Sequence, residues 1–357
     1  MTNLTVSFKE SSTKKQKPNA DKIAFGKHFT DHMFVMDYEE GKGWYDPRIV
    51  PYEPITLDPA AMIFHYGQTV FEGLKAYRTP DDRILLFRPE KNFQRLNLSS
   101  DRLSIPEMDE DVALRCLHQL LEVEKEWVPK AEGNSLYIRP FIVATEPNLS
   151  LAPSRTYQFM MILSPVGSYY KEGIQPVRIH VEDEYTRAVR GGTGKAKTAG
   201  NYAAAYKAQE RATKEGYSQV LWLDGVEKKY IEEVGSMNVF FKVKGEVITP
   251  ELNGSILEGI TRMSIIELLK DWGVPVLERK ISLEELYEAY DQGELEEAFG
   301  TGTAAVISPV GELNWGDRNI VINNGEIGEL SKRLYDTLTG IQTGKIEDPY
   351  DWTVEVK

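Results

Sequence analysis

Apolar and polar residues alternate with a changing period along the chain, and the changes mark out the predicted elements. Residues 1 to about 20 are largely polar, with Lys14, Lys15 and Lys17, and read as a mobile arm. Short strand-like segments follow. A helix is predicted from Pro89 to about Arg102. A second covers Asp109–Trp127, where Leu114, Leu117, Leu120 and Leu121 share one face. Ser135–Val143 and Tyr157–Leu163 read as strands. The Gly- and Pro-containing stretch Gly167–Pro176 separates them from a further strand, Val177–Val181, and marks a domain boundary. Beyond it the pattern predicts a helix near Asn201–Glu215 and strands at Gln219–Leu223 and Asn238–Val243. A helix near Arg262–Trp272 follows, closed by Gly273 and Pro275. A helix at Leu283–Tyr290, a strand at Ala304–Ile307 and a helix at Ile327–Ile341 complete the series. Helices and strands mix in both halves, so the expected fold is α+β (mixed α/β) with two domains. The predicted division is an arm at 1–20, a small α/β domain at 21–170, a linker at 171–176 and a large domain at 177–357.

A chain of 357 residues suits two cores better than one. The formal net charge of −13 argues against a surface that tracks a nucleic-acid backbone, which needs clustered Lys and Arg. It does not bar a small anionic ligand, because a pocket can be locally positive. The single cysteine, Cys116, rules out an internal disulfide or a cysteine-based zinc site. It lies in the apolar pattern of the second helix and reads as a buried structural thiol. The polar start lacks the features of a secretory or mitochondrial signal. The apolar run Phe159–Val166 is too short to span a bilayer. Together these features predict a soluble, cytoplasmic protein with no membrane partner.

Two stretches could carry chemistry. Gly191-Gly192-Thr193-Gly194-Lys195-Ala196-Lys197-Thr198 resembles a phosphate-binding loop. However, Ala196 stands where the second glycine belongs, and no strand runs straight into the stretch. The same residues also suit a Schiff-base lysine at position 197, just ahead of a helix whose N-terminal partial charge favours the uncharged amine. Alone, either reading competes with an ordinary solvated lysine. The second stretch runs from Glu233-Val234-Gly235-Ser236-Met237-Asn238 to Leu257-Glu258-Gly259-Ile260-Thr261-Arg262. A buried Glu233 could keep a pyridine nitrogen protonated. Gly259 permits close backbone approach, and the amides of Ile260 and Thr261 open a helix, a natural phosphate site. The ordinary alternative is a solvent-facing glutamate and a plain helix cap.

The run from Glu233 to Arg262 resembles the signature of the class IV (fold-type IV) pyridoxal-phosphate aminotransferases. Within that class the chain is most similar to the branched-chain amino acid aminotransferases. The similarity extends over His65-Tyr66-Gly67, Phe71-Glu72-Gly73-Leu74-Lys75-Ala76, Leu136-Tyr137-Ile138-Arg139-Pro140, Lys197 to Asn201-Tyr202, and Gly300-Thr301-Gly302-Thr303-Ala304. The rival members of the class, D-amino acid aminotransferases and aminodeoxychorismate lyases, share the lysine and glutamate logic but lack several of these segments.

The resemblance implies a role for each matching residue. Lys197 would hold pyridoxal 5'-phosphate as a Schiff base. Tyr202 would bond the ring hydroxyl and Glu233 the ring nitrogen. Arg95, with the amides of Ile260 and Thr261 and with Thr303, would hold the phosphate. By itself Arg95 reads as a solvent-exposed helix arginine. Phe29, Tyr66, Phe71, Tyr137, Arg139, Tyr169, Ser236, Thr303 and Ala304 would line the substrate pocket, with Arg139 and tyrosine hydroxyls receiving glutamate's second carboxylate. Most of the cofactor site would lie in the large domain. The implied reaction exchanges the amino group of L-leucine, L-isoleucine or L-valine with 2-oxoglutarate, Lys197 shuttling the proton. Relatives in this family are homodimers, so a homodimer is implied. Ala305 and Ser308 stand where animal relatives carry a Cys-x-x-Cys pair, which excludes a thiol switch there and points to a bacterial type.

Overall fold

The structure is a computed structural model that describes residues 5–20, 23–167 and 174–357. The chain divides into two compact units. The first comprises Met1–Ser168, Ala196–Ala199 and Gly340–Lys357; the second comprises Tyr169–Lys195 and Gly200–Thr339.

The first unit is built on a nine-stranded sheet. Its strands are β1 (Ser7–Phe8), β2 (His32–Glu39), β3 (Gly43–Pro51), β4 (Thr69–Phe71), β5 (Leu74–Arg78), β6 (Ile84–Phe87), β7 (Ser135–Ala144), β8 (Thr156–Val166) and, from the end of the chain, β18 (Thr353–Glu355). Along the sheet they run β1-β3-β2-β8-β7-β5-β6-β18, with β4 also on β7. All pairs are antiparallel except β1 with β3. The two-residue period sets the faces. Leu136, Ile138 and Ile142 of β7 join the core cluster with Phe34, Met36, Leu74, Ala76, Phe159, Met161 and Leu163. Tyr137, Arg139 and Phe141 therefore face the other way.

Three helices accompany this sheet: α1 (Met62–Tyr66), α2 (Pro89–Arg102) and α3 (Glu110–Val123). In α3 the Asp109 side chain caps the Val112 N–H, and Glu110 and Asp111 complement the positive end of the helix. Its buried stripe is Val112, Ala113, Cys116, Leu117, Leu120 and Leu121; of the four leucines expected on one face, Leu114 is only half-buried. Cys116 is buried as expected, and that burial pushes its thiol up to about 11.

The N-terminal segment carries β1, its Ser11 N–H donates to His32 Nε2 (2.9 Å) and its Lys15 ammonium donates to the Thr30 carbonyl (2.7 Å). Gly340–Lys357 and Ala196–Ala199 belong to the first unit and not to a large domain spanning 177–357. The reason is long-range pairing, in which β18 closes on β6 and Thr198 bridges Val70.

The second unit holds another nine-stranded sheet, ordered β11-β10-β9-β16-β15-β12-β13-β14 with β17 on β16. These strands are β9 (Val177–Glu182), β10 (Gln219–Leu223), β11 (Ile231–Val234), β12 (Asn238–Val243), β13 (Glu246–Thr249), β14 (Val276–Glu278), β15 (Leu295–Gly302), β16 (Val306–Trp315) and β17 (Arg318–Val321). Parallel and antiparallel pairs mix, β9 running parallel to both β10 and β16. The remaining helices are α4 (Ala199–Ala203), α5 (Tyr206–Lys214), α6 (Ile260–Asp271), α7 (Leu283–Asp291) and α8 (Glu329–Gln342). The single helix expected at Asn201–Glu215 is broken into α4 and α5. The strand expected at Ala304–Ile307 begins only at Val306, as β16, with Thr303, Ala304 and Ala305 forming the turn before it. Its partner β15 carries no clear strand signal, because Glu296 and Glu297 interrupt the apolar pattern. Glu297 is nonetheless buried, accepting the N–H groups of Leu330 (2.9 Å) and Ser331 (2.9 Å) in the first turn of α8.

Candidate active site

The candidate residues fall into one group in each unit. In the first, the Lys197 backbone is stitched to β4 and α2. Its N–H donates to Ser99 Oγ (2.8 Å), its carbonyl accepts from the Phe71 N–H (3.0 Å), and the Thr198 hydroxyl donates to the Thr69 carbonyl (2.7 Å). The Lys197 ammonium stands 5.1 Å from the centroid of the Phe71 ring.

Glu72, next in the chain after Phe71, is wholly buried. Arg95 grips it with two bonds, Nε to Oε1 (2.7 Å) and Nη2 to Oε2 (2.9 Å), and Asn92 adds a third at 2.8 Å. Burial pushes the Glu72 carboxyl up. The charge and hydrogen bonds of Arg95, the charge of Lys197 and the Asn92 bond outweigh it and hold the group below the usual carboxylate range. Arg95 is therefore buried, contrary to its appearance as a solvent-facing helix residue. Glu72 stands within a recognisable motif, but nothing in the motif announces this partnership.

The strand faces arrange the rest of this group. Phe71 lies opposite Phe141, and Lys75 lies opposite Tyr137. Arg139 Nη2 donates to the Tyr137 hydroxyl (2.9 Å), and the guanidinium lies over the rings of Phe71 (4.7 Å) and Tyr137 (5.3 Å). The Tyr137 hydroxyl occupies the space where a side chain on Gly73 would begin, so a larger residue there would have to displace that ring. Arg139 Nε is buried without a hydrogen-bond partner among the described residues. An orphaned cationic donor of this kind marks a place for an anion. Opposite Tyr137, burial pulls the Lys75 ammonium down to about 8, a second cation for which the resemblance implies no role.

Lys197, Phe71, Tyr137 and Arg139 thus come together. Phe29 stacks instead on Tyr52 (4.9 Å between ring centroids), and the exposed Tyr66 donates its hydroxyl to the Leu149 carbonyl. Tyr169 lies outside the described residues.

In the second unit Glu233 is buried on β11. Its Oε1 accepts the Leu257 N–H (2.8 Å), and the Arg187 Nε stands 3.3 Å from its Oε2. Gly259 caps α6 with no side-chain hydrogen bond. Ile260 and Thr261, both buried, open that helix. Asn238 Oδ1 fills the position that a Gly259 side chain would need, while its Nδ2 donates to the Leu257 carbonyl (2.9 Å). Thr301 pairs directly with Asn238 across β12 and β15, and its hydroxyl is buried without a hydrogen-bond partner among the described residues. Thr303 and Ala304 follow in the turn to β16, half-buried. There Val306 takes a φ of 62°, a strained conformation for a β-branched residue. Tyr202 is half-buried on α4, and Ser236 is exposed in the turn between β11 and β12.

Comparison with known proteins gives the class. The family model described as amino-transferase class IV matches residues 69–313. The chain belongs to the class IV aminotransferases. It is 65% identical to branched-chain-amino-acid aminotransferase 2 of Bacillus subtilis (strain 168), over 100% of this chain and 98% of that protein. It is 61% identical to branched-chain-amino-acid transaminase 1 of the same strain, over 96% of each. Among solved structures, the Escherichia coli branched-chain amino acid aminotransferase matches with a TM-score of 0.75 at 27% identity, covering 92% of this chain and 99% of that one. The T.th. branched-chain amino acid aminotransferase complexed with N-(5'-phosphopyridoxyl)-L-glutamate matches with a TM-score of 0.73 at 26% identity, covering 90% and 98%.

Class IV aminotransferases use pyridoxal 5'-phosphate, and the chemistry of this chain fits that group. An amine, a buried carboxylate, an uncapped helix N-terminus and the orphaned Thr301 hydroxyl correspond in kind to its aldehyde, ring nitrogen and phosphate. The phosphate-loop reading of Gly191–Thr198 falls away with the family, and no strand leads into that loop, β9 ending at Glu182. No helix among the described residues is long and apolar enough to cross a membrane.

Proposed function

We propose that this class IV aminotransferase moves the amino group of L-leucine, L-isoleucine or L-valine to 2-oxoglutarate, with Lys197 as the residue that carries the cofactor and transfers the proton. The observation that carries this reading is the Lys197 ammonium poised over Phe71 in the same side-chain cluster as Tyr137 and Arg139. The names of its relatives support the substrate class.

When bound, pyridoxal phosphate supplies an electron sink for the pair left when the substrate's α carbon loses its proton. Lys197 Nζ takes that proton and returns it one step later. Glu233 would keep the ring nitrogen protonated, and Tyr202 would bond the ring hydroxyl. In the first unit Arg95, oriented by Glu72, would be the candidate for a phosphate oxygen, and in the second unit Thr303 and the amides of Ile260 and Thr261 would be the candidates. Arg139 Nε–H, buried and unpartnered among the described residues, receives the side-chain carboxylate of glutamate. In the first unit Phe71 and Tyr137 offer aromatic faces to a branched apolar side chain, and Phe29, Tyr66, Tyr169, Ser236, Thr303 and Ala304 are the further candidates for substrate contact.

Borohydride reduction of the purified holoenzyme, followed by peptide mapping, is expected to place the label on Lys197. The same preparation is expected to consume L-leucine with 2-oxoglutarate and leave D-alanine untouched. Labelling of any other lysine, or a preference for D-alanine, would overturn the assignment.

We further propose a homodimer. One face of the first sheet leaves Val50, Tyr52, Phe141, Val143 and Ile162 half-buried around Met33, Val35 and Met160, an apolar surface of the kind that a second copy covers. Sedimentation velocity is expected to give twice the chain mass, and a single-chain mass at micromolar concentration would exclude it. The same reading puts the protein in the cytoplasm, where a lone reduced thiol is stable. Its release by osmotic shock would argue otherwise.

A further inference from the structure

We infer that Arg187 is a positioning residue for the cofactor, acting through Glu233. The inference rests on the reading of Glu233 as the partner of the ring nitrogen. Both side chains are almost fully buried, at 8% and 4% exposure, and their charges meet at 3.3 Å.

A carboxylate buried this deeply without a cationic neighbour takes up a proton. In its neutral form it could no longer stabilise a protonated pyridine nitrogen. The Arg187 guanidinium removes that option, because its nitrogen lies 3.3 Å from the carboxylate oxygen and favours the charged form. The contact is one of charge and not a bond along the N–H direction: Nε lies close to Oε2 but is not aligned for a hydrogen bond with it. Arg187 thus fixes the ionisation of Glu233 without directing a donor at it.

The two residues are also clamped by one segment. Arg187 Nη2 donates to the Ser255 carbonyl, and the Leu257 N–H donates to Glu233 Oε1. The loop carrying Arg187 has little room to move. A side chain on Gly225 would strike Thr186 and Val189, and one on Gly194 would strike Ala188 and the Ser255 carbonyl. Within the second unit, Arg187 and the 255–257 segment therefore meet the two oxygens of Glu233, Oε2 and Oε1 respectively.

The test uses the holoenzyme and its Arg187→Met, Arg187→Lys, Glu233→Gln and Arg187→Met/Glu233→Gln variants. Three quantities are read: the absorption of the bound cofactor as a function of pH, its dissociation constant, and the melting temperature of the cofactor-free protein. Arg187→Met is expected to change the absorption profile in the same direction as Glu233→Gln and to weaken cofactor binding by about tenfold, the size typical of a group that orients a ligand. Arg187→Lys, which keeps the charge, is expected to restore most of the profile. The double variant is expected to match Glu233→Gln alone, because the two residues act in series. If Glu233→Gln leaves absorption and binding unchanged, the reading of Glu233 itself fails. If Glu233→Gln changes both and Arg187→Met lowers only the melting temperature, Arg187 is merely structural and the inference is wrong. Should Arg187→Met not fold, Arg187→Lys decides: a profile moved as far as that of Glu233→Gln also overturns the inference.

Discussion

Replacement of Lys197 by alanine is expected to lower the rate of amino-group transfer from L-leucine by about a thousandfold or more, because it removes both the covalent anchor and the proton carrier. Turnover with L-leucine and 2-oxoglutarate measures it, and activity within about tenfold of the parent would sink the assignment. The protein is expected to remain folded. The Lys197 backbone bonds to Ser99 and Phe71 survive the substitution, and Glu72 keeps the two-bond grip of Arg95. The variant should therefore show native circular dichroism and take up no label at position 197. Loss of structure along with loss of activity would instead assign Lys197 a role in holding the first unit together.

The second large effect is expected from Glu72→Gln. Its carboxylate is the counter-charge for a buried guanidinium, and removing one partner of such a pair costs about 3 to 5 kcal/mol. Glutamine keeps the shape but not the charge, so Arg95 is left uncompensated. Denaturant unfolding measures the loss, and a change below about 1 kcal/mol, the range of exposed pairs, would show that the pair contributes little. The pH dependence has a fixed sign. The folded carboxyl lies below its unfolded value, so the unfolded state binds the proton first as pH falls. The stabilisation is fully present above the ordinary glutamate range and is lost as pH falls through the folded value. The difference between parent and variant should therefore be constant near neutrality and shrink on acidification.

Glu72 and Arg95 also illustrate what can be read from one chain. Their side chains meet across 23 positions, and neither local spacing nor amphipathic pattern announces it. As a helix residue with polar neighbours, Arg95 reads as exposed. Only the packing of α2 against β4 reveals that two of its nitrogens hold a buried carboxylate. Arg187 is hidden for the same reason, since it sits in a polar loop 46 residues before the glutamate it faces (233 − 187). Lys75, by contrast, carries a usable signal: a lysine in the alternating run Leu74–Arg78, two residues from Gly73.

Elements whose code is local follow from the chain alone. The α3 stripe and its Asp109 cap, the glycine that opens α6, and the lysine and glutamate segments that carry the family signature all depend on residues close together in the chain. The assembled fold was needed to show that the last residues close the first sheet, that a glutamate-bearing stretch becomes the buried strand β15, and that buried cations select their carboxylates. The physical reason is that helix periodicity and capping act over a few residues. Burying a charge or pairing a strand edge depends on partners brought together by the whole chain.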